Sequence, residues 1–271
     1  MNETSIKEAL KKGSLILQNQ KEAAILLSSF LNKDKLYLIT HEKETLKNAE
    51  KYLQLVKRRK SGEPIEYITK SVSFYSRNFY IQKGALIPRP ETELLIDHAK
   101  KIIKKESMRN IAEIGTGSGV ISIMLAAFFP KLKIVATDIN EEALKIAKIN
   151  ARKFNAQKQI EFIHTPYLDR INRNFDMIVS NPPYIAKDFK LENSLHFEPK
   201  NALFAGDRGD EILTKIIDLS VKREVGYLVC EMGYDQKEPL ERYLIKHGIR
   251  EYLFYKDYSG FDRGFIAKTK E

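Results

Sequence analysis

A chain of 271 residues, 43% of them hydrophobic, has room for one large domain or two of unequal size around a substantial core. Its 46 Lys and Arg against 36 Asp and Glu leave a net charge of +10, which fits an anionic partner or a lysine-coated soluble surface equally well. A single cysteine excludes an intramolecular disulfide and a cysteine-rich zinc site, no metal is expected, and the longest apolar run, Val120 to Phe129, is far below the roughly 20 residues of a membrane helix.

The N-terminus has no signal-peptide pattern, so the expected setting is soluble, reducing and cytoplasmic. Thr4 or Ser5 can cap a first helix through Ile6, Ala9 and Leu10. A second helix carries Ala24, Leu27, Phe30 and Leu31, and a third carries Leu46, Ala49, Tyr52, Leu53 and Val56. Ser61-Gly62-Glu63-Pro64 breaks this pattern, so residues 1–70 read as a small all-helical domain, suited to substrate docking or to packing alone. Residues 71–88 read as a β-hairpin linker, with Phe74, Phe79, Tyr80 and Ile81 around Ser76-Arg77-Asn78. The last domain, 89–271, opens on Arg89-Pro90-Glu91-Thr92-Glu93, where Thr92 or Glu91 is expected to serve the free N–H groups of a helix start.

Ile111 to Ile114 then forms a strand that runs into Gly115-Thr116-Gly117-Ser118-Gly119 and a helix from Val120. Glycines let backbone N–H groups and a helix N-terminus approach a ligand closely. About 20 residues on, the strand Lys133 to Thr137 ends at Asp138, the place for an acid that binds ribose hydroxyls. The Gly-x-Gly-x-Gly spacing disfavours a dinucleotide, and Glu113, just before the first glycine, is expected beside a cationic amino-acid moiety. S-adenosylmethionine fits those features better than NAD.

A helix from Asn140 and the strand Ile160 to Ile163 follow, and then the run Met177-Ile178-Val179 stops at Asn181-Pro182-Pro183-Tyr184. Each proline keeps its predecessor extended, making a stiff loop at the carboxyl end of a strand, where ligands of open α/β sheets bind. The Asn181 side-chain oxygen and the Pro182 carbonyl can accept both hydrogens of a planar NH2 group, and Tyr184 offers a flat face; a rigid turn is the plainer alternative. Helices near 210–221 and 239–247 alternate with strands near 226–232, 252–255 and 265–267, which means a mostly parallel sheet. Cys230, inside an apolar strand, reads as core.

With these residues assembled, the chain resembles the HemK-type protein-(glutamine-N5) methyltransferases of class-1 peptide chain release factors. The resemblance runs through Gly62-Glu63-Pro64, Pro88-Arg89-Pro90-Glu91-Thr92-Glu93, the glycine loop, Asn181-Pro182-Pro183-Tyr184, Glu198-Pro199, Glu231-Met232-Gly233 with Gln236, and Asp257 to Arg263. It implies an α/β fold of class-I S-adenosylmethionine-dependent methyltransferase type: a Rossmann-like, mostly parallel seven-stranded sheet whose last strand is reversed. It also implies methylation of the glutamine in a Gly-Gly-Gln motif, with S-adenosylmethionine as donor and S-adenosylhomocysteine as product.

Carried over by position, Gly115, Thr116, Gly117, Ser118, Gly119, Asp138, Pro166 and Asn181 border the cofactor. Asn181, Pro182, Pro183 and Tyr184 hold the substrate amide, Asn181, Pro182 and Tyr184 being the catalytic set. The implied partner is a class-1 release factor, with the ribosome nearby and no direct contact to nucleic acid expected; the short apolar runs point away from a membrane, and with no oligomerisation signature in the sequence a monomer is the expectation. Adenine-N6 methyltransferases share the Asn-Pro-Pro-Tyr loop and supply the alternative reading. The chain departs from the pattern at Thr165-Pro166-Tyr167, where relatives carry an acid near the adenine.

Overall fold

The Ser5 hydroxyl accepts the Glu8 N–H while the Glu8 carboxylate takes the Ser5 N–H, a reciprocal cap that opens α1 (Ile6–Leu17). The computed structural model describes residues 4–191 and 193–270, so residues 1–3, 192 and 271 of the expected domains lie outside it. Helices α2 (Gln20–Leu31), α3 (Lys35–Thr40), α4 (Ala49–Lys60) and α5 (Ile65–Thr69) follow. The short α3 and α5 escape the apolar periodicity, and Leu46, assigned above to the third helix, precedes α4 yet is buried. Tyr52 fills the centre of this bundle: fully buried, it donates to the Ala23 carbonyl at 3.2 Å, and burial pushes its phenol up to about 12. Gly13 of α1 admits it, because a Cβ there would overlap the Tyr52 hydroxyl. Residues up to Ser71, with the segment ending at Phe197, form one compact unit; Val72 to Leu191 and Glu198 onward form the second.

The second unit takes in nearly all of the hairpin, β1 (Ser71–Phe74) and β2 (Arg77–Tyr80), which turns through Tyr75 and Ser76 at φ of 50° and 54°. Then come α6 (Thr92–Glu106), β3 (Asn110–Ile114), α7 (Val120–Phe128), β4 (Lys133–Asp138), α8 (Glu141–Lys153), β5 (Ile160–His164) and β6 (Met177–Ser180). A small pair, β7 (Ile185–Ala186) and β8 (Phe204–Gly206), was not legible, since two or three residues show no periodicity. The chain ends with α9 (Glu211–Lys222), β9 (Tyr227–Glu231), α10 (Lys237–Lys246), β10 (Tyr252–Lys256) and β11 (Asp262–Lys268).

The main sheet has seven strands in the order β10-β11-β9-β6-β3-β4-β5, parallel except for β11, which runs antiparallel to both neighbours. This is the class-I methyltransferase sheet, and β6 lies at its centre with Met177, Ile178 and Val179 fully buried. Cys230 is also fully buried and its thiol is pushed well up by burial, so it packs as core. Strand order brings the carboxyl ends of β3, β4, β6 and β9 side by side, and the glycine loop, Asp138, Asn181 and Glu231 stand at those ends.

Candidate active site

The glycine loop is held from below by β4. Gly115 and Thr116 donate their N–H groups to the Thr137 carbonyl, both at 2.9 Å, and Gly117 donates to Asp138 Oδ2 at 2.8 Å. Asp138 Oδ1 accepts the Asn140 N–H at 2.8 Å; burial raises the Asp138 pKa while these backbone donors pull it down. Gly115 and Gly117 have φ of 72° and 55°, and a Cβ on either would meet no atom within 4 Å among the described residues. Both therefore border open space that a ligand can occupy.

Gly119 is different, since the space on its side-chain face is filled. A Cβ there would sit 3.0 Å from Ala147 Cβ and 3.1 Å from Ile123 Cδ1, so this glycine serves the contact between α7 and α8. Glu113 is a correction to the sequence reading. Its carboxylate turns into the protein, fully buried, where Oε2 accepts Thr116 Oγ1 at 2.7 Å, the Ser122 hydroxyl and the Ser122 N–H. Burial lifts its pKa to about 7, and Oε1 has no hydrogen-bond partner among the described residues. Glu113 thus braces the turn from behind.

A cavity of roughly 290 Å³ opens over the loop, lined by Gly115 to Ser118, Asp138 to Asn140, Thr165 to Tyr167, and Asn181 to Pro183. The stretch from Gly84 to Pro88 forms another wall, tied down where Asn140 Nδ2 donates to the Gly84 carbonyl at 2.9 Å. Sequence spacing gave no signal for Gly84 to Leu86 or for Asn150. Asn150 of α8 is fully buried, accepts the Tyr80 N–H at 2.7 Å and donates to the Tyr80 and Ser118 carbonyls at 2.9 Å each. It bolts the hairpin to the glycine loop.

The Asn181 side chain donates from Nδ2 to Thr92 Oγ1 at 3.1 Å. Thr92 in turn donates to Glu231 Oε2 at 2.8 Å, and the Tyr184 hydroxyl donates to Glu231 Oε1 at 3.1 Å. The expectation that Thr92 or Glu91 caps α6 therefore fails: Glu91 makes no side-chain cap bond, and the Thr92 oxygen accepts from Asn181 rather than from a backbone N–H of the helix start. Tight turns replace the cap, with Thr92 N–H bonded to the Arg89 carbonyl and Glu93 N–H to that of Pro90. Tyr184 is only half-buried, its ring packed on the core beneath the loop.

Comparison with known proteins converges on one family. The methyltransferase small domain matches residues 90–198, and the PrmC N-terminal domain matches residues 5–69. A release factor glutamine methyltransferase of Clostridium botulinum is 36% identical, covering 96% of this chain and 95% of its own. The chain belongs to the release factor glutamine methyltransferase family. Its counterpart in Dictyoglomus turgidum is 42% identical over 74% of this chain and 73% of that one. Among solved structures, the hMettl16 catalytic domain in complex with a 3′UTR hairpin shares the fold at a TM-score of 0.60 and 18% identity, covering 82% of each chain.

In this methyltransferase the remaining motifs of the resemblance act as braces. Buried Glu198 accepts the Ile87 N–H at 2.9 Å and pairs with Arg89, holding the proline-rich stretch before α6. Gln236 donates to the Tyr184 carbonyl at 3.0 Å and accepts the Gly233 N–H at 2.9 Å. Asp257 accepts the Ser259 and Phe261 N–H groups and pairs with Arg263 at 2.9 Å, which closes the turn between β10 and β11. Among the described residues no group of His, Cys, Asp and Glu could hold a metal ion, and no helix is long and apolar enough to cross a membrane.

Proposed function

We propose that this methyltransferase transfers a methyl group from S-adenosylmethionine to the side-chain nitrogen of the glutamine in the Gly-Gly-Gln motif of a class-1 release factor. The observation that carries the reading is that Asn181 and Pro182 line the same cavity as Gly115, Gly117 and Asp138, which joins an amide acceptor to a nucleoside cradle. The open space over both glycines and the apolar wall of Ile114, Ile121, Ile139 and Pro166 suit the methionine and adenosine parts of that cofactor. Asp138 would take the ribose hydroxyls.

When bound, the cofactor supplies an electrophilic methyl group on a sulfonium. The protein's part is to place and polarise the nucleophile. Asn181 Oδ1 and the Pro182 carbonyl would accept the two amide hydrogens, directing the nitrogen toward the methyl carbon and stabilising the positive charge that builds on it. The helical unit would dock the release factor. No side chain at the loop is required as a base, since the proton can leave after transfer.

The test is transfer of labelled methyl to a purified class-1 release factor, to its Gly-Gly-Gln→Gly-Gly-Ala variant, and to DNA. Label on the wild-type factor alone supports the reading, and label on DNA alone overturns it in favour of an adenine substrate. Asn181→Ala should lower turnover at least about a hundredfold while S-adenosylhomocysteine affinity stays within about threefold.

A further inference from the structure

Thr92 stands at the cavity wall beside Asn181 and Glu231 lies behind it, and the glutamine reading gives neither a chemical step. Both are buried, at 1% and 2% exposure. Strand register explains how they meet Asn181: β6 pairs with β9 so that Ser180 faces Cys230, and the next step along each strand is Asn181 and Glu231. Thr92 opens α6 in the space between them.

Hydrogen accounting decides what this arrangement does. A threonine hydroxyl has one hydrogen to give. Here it goes to the Glu231 carboxylate, which also accepts the Tyr184 hydroxyl and which, once ionised above the value of about 7 to which burial lifts it, has no hydrogen of its own to return. The Thr92 oxygen can then only accept from Asn181. The amide must therefore present NH2 to Thr92, and its oxygen is left as the atom free to accept from a ligand. With the amide reversed, two acceptors would confront each other and the cavity would meet a donor, the wrong partner for a substrate NH2 group.

We infer that Glu231 is a positioning residue that acts through Thr92 to hold the Asn181 amide in its accepting orientation. The inference rests on the glutamine reading for its consequence in turnover, but not for the orientation itself. Tyr184, donating to the other carboxylate oxygen, keeps Glu231 from turning away.

The variants are Thr92→Val, Thr92→Ser and Glu231→Gln, assayed with labelled S-adenosylmethionine and the release factor. In Glu231→Gln the new amide can donate to Thr92, which frees the hydroxyl hydrogen for Asn181 and lets its amide turn over. Thr92→Val and Glu231→Gln should each lose about tenfold or more in kcat, with the KM for release factor and the affinity for S-adenosylhomocysteine within about threefold. Thr92→Ser, which keeps the hydroxyl, should retain wild-type kcat to within about threefold. Turnover unchanged in both damaging variants, or affinity falling in step with kcat, overturns the inference. Should Glu231→Gln fail to fold, the near-isosteric Thr92→Val decides.

A readout independent of substrate is the Asn181 side-chain NH2 signal in nitrogen-15 NMR, assigned by its loss in Asn181→Ala. Its hydrogen-bonded proton should move upfield and exchange faster in Thr92→Val, and an unmoved signal overturns the inference. If wild-type enzyme leaves the release factor unlabelled, the glutamine reading fails while the NMR result still judges the orientation.

Discussion

Asn150→Ala is the substitution that best tests how the cavity is assembled, because one side chain joins three segments distant in sequence. It removes the bond from the Tyr80 N–H and those to the Tyr80 and Ser118 carbonyls, all from a fully buried position. At about 1 kcal/mol net for each bond, with a buried N–H left unpaired, the loss should be about 3 kcal/mol. For a protein of this size that is a fall in melting temperature of roughly 8 °C. Scanning calorimetry would measure it, with titration of S-adenosylhomocysteine following the loosened Ser118 carbonyl as an affinity loss of about tenfold. Asn150→Asp should do no better, since it keeps the acceptor for Tyr80 N–H but sets a carboxylate against two carbonyl oxygens. A melting shift below about 2 °C with unchanged affinity would refute the bolt between hairpin and glycine loop.

The pH dependence of stability carries a definite sign. A carboxyl whose folded pKa is raised favours the fold in its protonated state, so its contribution is full below about 4.5 and is lost as pH rises through the folded value. For Glu113, lifted by burial to about 7, the rise corresponds to about 3 kcal/mol lost by pH 8, and Glu231, also about 7, adds in the same direction. Melting temperatures between pH 5 and 8 should therefore fall with pH for these groups, and Glu113→Gln should remove about half of the slope; an unaltered slope would count against the buried, raised Glu113. Gly119→Ala, at φ +84° and 3.0 Å from Ala147, should cost about 2 kcal/mol or more with little direct effect on cofactor. Gly115→Ala should cost only about 1 kcal/mol but weaken S-adenosylhomocysteine strongly, since its methyl enters the ligand's space. Equal effects of the two alanines on affinity would contradict the different roles assigned to the two glycines.

Local chemistry made much of this protein legible before any coordinates. The helix cap at Thr4 or Ser5, the strand-glycine-helix order around Gly115, Asp138 at the end of β4 and the abrupt stop of β6 before Pro182 each depend on neighbours within a few residues. Periodicity and backbone sterics act over that range, so element order and the mostly parallel sheet followed. The short α3, α5, β7 and β8 were too brief to carry a period.

Direction of side chains was another matter. Glu113 read as a ligand contact and proved to be an internal brace, and Thr92 read as a helix cap yet gives its hydrogen to Glu231, 139 positions away. Gly119 read as a cradle residue, and its missing Cβ makes room for α8 as well. Glu231 and Ala147 lie far from Thr92 and Gly119 in sequence, while Glu113 is claimed by Thr116 and Ser122 just beyond the turn, so burial rather than spacing set each direction. Residue order along the chain sets which groups stand at the carboxyl ends of the strands. Tertiary packing alone decided which of them face the cavity and which hold the others in place.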